Sequence, residues 1–211
     1  MRFHTSLVNL VCVGAGLASL AACGGKIKYP NYYVLNFRTP IPTASQTKPL
    51  PGSVAVREFR APAFLRGGAI VYRKSGEQLD FYHYHRWAAD PRSAVTTAVV
   101  QSMEAHGIFQ SVHLYDGRET SEYLVTGALD HLEEVDQGHD VLVEAAISAR
   151  LVDLKTGEVL WTDSVSETTK VENHAMPDVV IGMSRAAETA VSRLVSSMQN
   201  RIDTQLRAAS N

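Results

Sequence analysis

Apolar and polar residues alternate most clearly over residues 140–153. One face of this stretch carries an aliphatic residue at every second position: Val141, Val143, Ala145, Ile147, Ala149 and Leu151. A period of two predicts a β-strand with one buried face. Strand-like stretches also cover residues 123–135 and 158–169, and turn residues separate the three at 136–139 and 154–157. The pattern therefore predicts an antiparallel meander of three strands.

The first half of the chain predicts shorter strands. Aromatic and β-branched residues favour strands at 32–37, 54–59 and 108–115. Residues 69–72 and 79–87 flank a Lys-Ser-Gly-Glu sequence and predict a hairpin. Alternation along its second arm would place Tyr82, Tyr84 and Arg86 on one face and four residues on the other: Phe81, His83, His85 and Trp87.

Two helices are predicted by their ends and by their apolar stripes. Asp90 and Pro91 suit the cap and the first turn of a helix, and Gly107 suits its end. The second helix begins near Met176, and its apolar residues recur at helical spacing as far as Ile202. The predicted fold is a single α+β domain with a mostly antiparallel sheet and two helices packed on one face.

The N-terminus has the pattern of a bacterial lipoprotein leader. Arg2 precedes an apolar run too short to span a membrane comfortably, and the run ends in small residues. The sequence Leu20-Ala21-Ala22-Cys23 resembles a lipobox. The alternative is an ordinary signal peptide cut elsewhere, with an incidental cysteine. The resemblance implies a signal peptide over 1–22 and a diacylglycerol and a third acyl chain on Cys23.

These features predict the order of segments along the chain. A tether over 23–31 follows the cleavage site, and the domain covers 32–203, including a Pro-rich loop at 39–52. Residues 204–211 are expected to form a flexible tail. Gly24 follows the lipidated cysteine where an Asp would be typical of retention in the inner membrane. The resemblance therefore implies the periplasmic face of the outer membrane of a Gram-negative bacterium.

Composition narrows the class of protein. The chain has 211 residues, of which 45% are hydrophobic and 20% charged, and this balance is typical of a globular domain. The net charge of −2 provides no basic surface for nucleic acid. If Cys12 leaves with the leader and Cys23 is acylated, no thiol pair remains to form a disulfide.

Several stretches of the mature chain together resemble a known family, the auxiliary lipoprotein component of ABC-type transport systems, whose members include paraquat-inducible protein C. The stretches are Cys23 followed by Tyr32-Tyr33-Val34-Leu35, then Ile70-Val71-Tyr72-Arg73, then Tyr84-His85-Arg86-Trp87-Ala88 before Asp90-Pro91, and lastly the strand pair at 151–161. The resemblance implies partners: a periplasmic protein with MCE (mammalian cell entry) domains, its permease and its ATPase. Such systems move lipids between the two membranes, and this chain would dock the MCE protein at the outer membrane.

The residues themselves indicate no reaction centre. The sequence has no G-x-S-x-G, no H-E-x-x-H and no phosphate-binding loop. His83 and His85 are spaced to chelate a metal ion, but no nearby acid or cysteine in the sequence completes a ligand shell. Glu133, Glu134 and Asp136 are expected to be solvated around a turn. We therefore predict no enzymatic activity, no cofactor and no metal.

The second arm of the predicted hairpin, residues 79–87, is the candidate binding surface, and we call it the aromatic arm. Tyr, Trp and Arg carry much of the energy of protein interfaces, so Tyr82, Tyr84, Arg86 and Trp87 are the predicted partner-binding residues. Self-assembly through the same arm is an alternative to binding of an MCE protein. The alternative function is that of a structural or assembly lipoprotein of the envelope without an ABC partner. A periplasmic enzyme is the third hypothesis.

Overall fold

The computed structural model describes residues 28–42, 49–117, 121–137 and 140–209. The predicted signal peptide, Cys23 and the first part of the tether lie outside these residues. Eight strands and three helices are described: β1 (Asn31–Tyr33), β2 (Leu50–Val56), α1 (Ala63–Arg66), β3 (Ala69–Ser75), β4 (Gln78–Trp87), α2 (Pro91–His106), β5 (Phe109–Leu114), β6 (Tyr123–Gln137), β7 (Asp140–Asp153), β8 (Val159–Val171) and α3 (Met176–Ala209).

Strands β6, β7 and β8 form the predicted antiparallel meander. Ile147 of β7 lies opposite Leu129 of β6 and Val165 of β8. The six alternating aliphatic residues of β7 are all buried in the hydrophobic core. The period of two therefore identified both the strand and the face that it buries.

Strand β6 is central because both of its edges are paired. β7 runs along one edge, while the other edge pairs with β2 near Val125 and with β3 near Val135, both in parallel. β5 lies beside β2, and β4 pairs with β3 and carries β1 at the edge of the sheet. The antiparallel pairs are long and the parallel pairs short, so the sheet is mostly antiparallel, as predicted.

The two long helices lie on one face of this sheet and contact each other. The Asp90 side chain accepts a hydrogen bond from the backbone N–H of Arg92 at 2.9 Å, and Gly107 ends α2 with a φ of 61°. The predicted stripe of α3 is buried throughout: Val180, Met183, Ala187, Val191, Leu194, Met198 and Ile202. These placements confirm the α+β class and the single domain.

The first predicted strand, 32–37, is wrong in its extent. β1 stops at Tyr33 because its partner β4 ends at Trp87, and none of the described strands continues beside it. The chain then crosses α3, where the backbone N–H of Asn36 donates a hydrogen bond to the hydroxyl oxygen of Ser184 at 3.2 Å. Aromatic and branched residues favour a strand, but a strand also needs a partner edge.

Two other boundaries and one short helix differ from the prediction. β2 starts at Leu50, inside the predicted loop 39–52, because the backbone N–H of Leu50 donates to the carbonyl of Ile108 at 2.9 Å. The short helix α1 is not one of the two predicted helices. Helix α3 continues to Ala209, so residues 204–209 are helical rather than part of a flexible tail.

Candidate partner interface

Tyr84 of the predicted arm and two exposed tyrosines from the start of the domain lie close to where β1 pairs with β4 at the edge of the sheet. Tyr84 is 41% exposed, and the Nζ atom of Lys28 lies 4.4 Å from the centre of its ring. Tyr32 is 62% exposed and lies beside Arg86 in the parallel ladder, while Tyr29, just before β1, is 76% exposed. We call Lys28, Tyr29, Tyr32, Tyr84 and Arg86 the aromatic edge.

Arg86 is held in place by the loop beneath the hairpin. Its Nη2 donates to the carbonyl oxygen of Gly67 at 2.8 Å. Paired residues of a parallel ladder point to the same face of the sheet, so Arg86 and Tyr32 lie side by side. The aromatic edge therefore combines exposed tyrosine rings with two cationic side chains.

Trp87, another predicted partner-binding residue, is part of the core instead. Only 5% of it is exposed, and its ladder partner Tyr33 also packs against the core. Its backbone N–H donates to the carbonyl oxygen of Gly68 at 2.7 Å. Because the indole lies on the buried face, a direct contact between Trp87 and a partner does not fit this structure.

The predicted alternation of the arm is also broken. Tyr82 and His85 were placed on opposite faces, but their rings meet edge to face with centroids 5.7 Å apart. The reason is a shift in the register between β3 and β4. Ala69 pairs with Arg86, but the next pair is Val71 with Phe81, so β4 contributes more residues than β3 between the two pairs. The extra residues of β4 in this bulge disturb the two-residue period.

Tyr82 faces the interior and bonds to a buried acid. Its hydroxyl donates to Oε2 of Glu134 at 2.8 Å, and its ring packs on that of Tyr72 with centroids 4.6 Å apart. Burial, and next the hydrogen bond to Glu134, raise the pKa of Tyr82. The Nδ1 atom of His174 lies 4.0 Å from the other oxygen of Glu134. Of the predicted arm, Tyr84 and Arg86 remain available to a partner.

The acidic residues near the end of β6 are not solvated as predicted. Glu133 is fully buried and Glu134 is 3% exposed, because β6 continues past them to Gln137 between β3 and β7. Glu133 accepts two hydrogen bonds from the Arg73 guanidinium, at 2.8 and 3.0 Å. The two neighbouring carboxylates point to opposite faces, so each requires its own partner.

The histidine pair of the arm does not form a ligand set. The Nδ1 atom of His85 lies 3.0 Å from the hydroxyl oxygen of Tyr33, and His83 is exposed. Within the ranges that the structure describes, no three His, Cys, Asp or Glu side chains are arranged to hold a metal ion.

Comparison with known proteins identifies the family. The sequence model of the ABC-type transport auxiliary lipoprotein component matches residues 33–195, from β1 into α3. This chain belongs to that family. No curated protein in the comparison matches it significantly. The match to this auxiliary lipoprotein family begins at Tyr33, so Lys28, Tyr29 and Tyr32 precede the matched segment.

Solved structures share the fold of this auxiliary lipoprotein. XCC0632 of Xanthomonas campestris, described as a DUF330 protein, superposes with a TM-score of 0.70 at 17% identity, over 83% of this chain and 99% of its own. An uncharacterized protein gives 0.61 at 12% identity, over 81% and 99%. The hypothetical protein CT253 of Chlamydia trachomatis gives 0.50 at 8% identity, over 72% and 98%. At these identities the likeness concerns the fold alone.

In this auxiliary lipoprotein, none of the helices within the described residues is sufficiently long and apolar to cross a membrane.

Sequence reasoning found Tyr84 and Arg86 of the aromatic edge but missed Tyr29 and Tyr32. The available signal was their place at and just beyond the end of the tether, in a short segment with a lysine. Strand propensity assigned Tyr32 to a half-buried strand and so concealed its exposure.

Because Glu134 is buried, we expect the stability of the folded protein to depend on pH. Burial raises its pKa, so the folded protein retains a proton at pH values where the unfolded chain has lost it. The free energy of unfolding should therefore fall as pH rises from the ordinary glutamate pKa, about 4.3, through the raised folded value. Glu134→Gln should remove this contribution while its side-chain carbonyl still accepts the Tyr82 hydrogen bond.

Urea unfolding across this pH range tests the prediction. The stability of Glu134→Gln relative to wild type should increase with pH. Glu104→Gln, at an exposed position of α2, is the matched control and should follow wild type. Parallel curves for Glu134→Gln and wild type would show that burial does not perturb Glu134.

Proposed function

We propose that this auxiliary lipoprotein is the docking component of an MCE-type ABC transporter that moves lipids between the inner and outer membranes. Cys23 carries the acyl chains that hold it to the periplasmic face of the outer membrane. Membership of the family, shown by the match over residues 33–195, is the observation that carries the proposal. The MCE protein, with its permease and ATPase, is the proposed partner.

The fold supports a role in binding. Within the described residues, the aromatic edge gathers three exposed tyrosines and two cations near the end of the chain that leads to Cys23. Exposed tyrosine and arginine side chains provide large contacts in protein interfaces. Tyr84 and Arg86 are therefore the proposed partner-binding residues, while Tyr82 and Trp87 support them from the interior.

Co-purification tests the proposal. The lipoprotein, extracted from membranes in mild detergent, should retain an MCE-domain protein together with a permease and an ATPase, as identified by mass spectrometry. Recovery of other envelope proteins without any of the three would favour a structural or assembly role. Recovery of the protein as a homo-oligomer alone would assign the edge to self-assembly.

Tyr84→Ala should weaken capture of the MCE protein without destabilising the fold. The ring is exposed and contacts Lys28, so few core contacts are lost, whereas truncation of a hot-spot tyrosine costs an interface about 2 kcal/mol or more. We expect roughly a thirtyfold weaker complex, which corresponds to about 2 kcal/mol. Binding curves and thermal melting of the same variants measure the two effects.

Tyr115→Ala is the matched control, because Tyr115 is similarly exposed but follows β5, outside the aromatic edge. It should bind like wild type. A large fall in the melting temperature of Tyr84→Ala would assign Tyr84 to the fold. Unchanged melting and unchanged capture would exclude Tyr84 from the interface.

A further inference from the structure

The face of the sheet opposite the two long helices carries a notch of about 380 Å³. Arg60 and Arg150 both line it, and both are exposed. The hydroxyl-bearing residues among its lining are Thr126, Ser148 and Thr162. Among the described residues that line it, none is acidic. Two positive charges and several hydroxyl groups therefore meet in one concave surface.

Glycine in β6 determines where Arg60 lies. A Cβ atom at Gly127 would approach the Phe59 ring and the carbonyl oxygen of Ser148 to 2.6 Å, so only glycine allows Phe59 to pack there. Phe59 is fully buried. Arg60, the next residue, pairs with Ala128 in a parallel bridge and points to the opposite, outer face. Its backbone N–H donates to Gly127 and its carbonyl accepts from Leu129, at 2.9 and 2.8 Å.

Arg150 of β7 is oriented by its neighbours on the adjacent strands. It lies opposite Thr126 of β6 and Thr162 of β8. Its Nε donates to Oγ1 of Thr126 at 3.1 Å, which leaves the two terminal nitrogens without a described partner. The small side chains around it leave space above the sheet for a ligand.

Other cationic side chains on the same face of the sheet are paired with acidic residues. Arg73 is paired with Glu133 and Lys170 with Asp140. Within the described part of the chain, neither Arg60 nor Arg150 has a carboxylate partner at ion-pair distance. Two uncompensated guanidinium groups that line one notch attract an anion.

We propose that this notch is a binding site for a phosphate group. Guanidinium groups match the oxygen atoms of phosphate and of carboxylate, but a single guanidinium can satisfy both oxygens of a carboxylate. A phosphate offers further oxygen atoms to a second guanidinium and to the hydroxyls of Thr126 and Thr162. The phosphate would come from a lipid headgroup or from a free phosphate compound. This site goes beyond the proposed docking role and does not depend on it.

Titration calorimetry of the full lipoprotein in a nonionic detergent tests the site. The probes are inorganic phosphate, sn-glycerol 3-phosphate and a short-chain phosphatidylglycerol kept below its micelle concentration. Saturable binding of at least one probe is expected. Arg60→Gln and Arg150→Gln should each weaken it at least tenfold, and Arg150→Lys, which retains the charge but loses the fork, should be intermediate.

Arg57→Gln is the matched control and should bind like wild type. Arg57 is exposed and lies 4.8 Å from the Tyr115 ring, and it does not line the notch. Melting curves of all variants show whether the fold is retained, and Arg60→Gln removes no described side-chain hydrogen bond. Tighter binding of the phospholipid than of glycerol phosphate would identify a headgroup site, and equal binding would identify a site for free phosphate compounds.

Three results would overturn the proposal. The first is the absence of saturable binding for every phosphate probe at millimolar concentration. The second is binding that Arg60→Gln and Arg150→Gln leave unchanged. The third is equal affinity for a glutamate-rich peptide with the same dependence on both arginines, which would make the notch a contact for an acidic protein.

Discussion

Replacing Arg73 with methionine is expected to lower the free energy of unfolding by about 3 kcal/mol. The Arg73 guanidinium holds both oxygens of Glu133, whose side chain is 1% exposed. Arg73→Met would leave that carboxylate buried without its counter-charge, and the cost of an unpaired buried charge is large. Urea unfolding monitored by circular dichroism measures the change.

Lys170→Met is the matched control for this pair. Its ion pair with Asp140 is solvent-exposed, with side chains 63% and 53% accessible, so its loss should cost about 0–1 kcal/mol. The double variant Arg73→Met/Glu133→Leu should recover most of the lost stability, because the buried charge is gone as well. Equal losses for Arg73→Met and Lys170→Met would show that the burial of Glu133 has no energetic consequence.

Cys23→Ala is expected to abolish membrane anchoring. Each acyl CH₂ buried in a bilayer contributes about 0.8 kcal/mol, and one chain alone holds a protein only reversibly. With three chains absent, the protein should move to the soluble periplasmic fraction or remain an uncleaved precursor. Labelling with radioactive palmitate, followed by fractionation of the membranes, measures both acylation and location.

Cys12→Ala is the natural control, since it removes the other cysteine of the chain, which lies within the predicted leader. It should be acylated and should fractionate like wild type. If Cys23→Ala stays with the outer membrane as tightly as wild type, the proposed lipid anchor is wrong. Retention that salt or the loss of an MCE protein abolishes would instead assign the attachment to a partner.

The candidate interface shows what local sequence patterns can and cannot predict about a binding surface. Sequence reasoning selected the arm from its composition, and the structure leaves Tyr84 and Arg86 at an edge of the sheet. Alternation placed Trp87 and Tyr84 on opposite faces of the strand, but it could not tell which of the two faces is buried. Which ring is buried depends on β1 and on a register shift with β3, and neither is recorded in the spacing of the arm.

The burial of acids shows the same limit. Glu133 and Glu134 follow one another near a predicted turn, a context that usually implies solvation. Their partners, Arg73 and Tyr82, lie 60 and 52 residues away in the chain. The stability of a buried carboxylate depends on such distant groups, so no local window of sequence predicts it.

The sequence by itself determined the family, the α+β class, the β6–β7–β8 meander and both long helices. Their signals are local: alternation along β7, the Asp90 cap, Gly107 and the stripe of α3 all act within a few residues. Only the tertiary structure decided the parallel pairing of β2 and β3 with β6, the end of β1 at Tyr33 and the meeting of Arg60 with Arg150. These features depend on which strand edges lie free for pairing, and that is settled only when distant segments pack together.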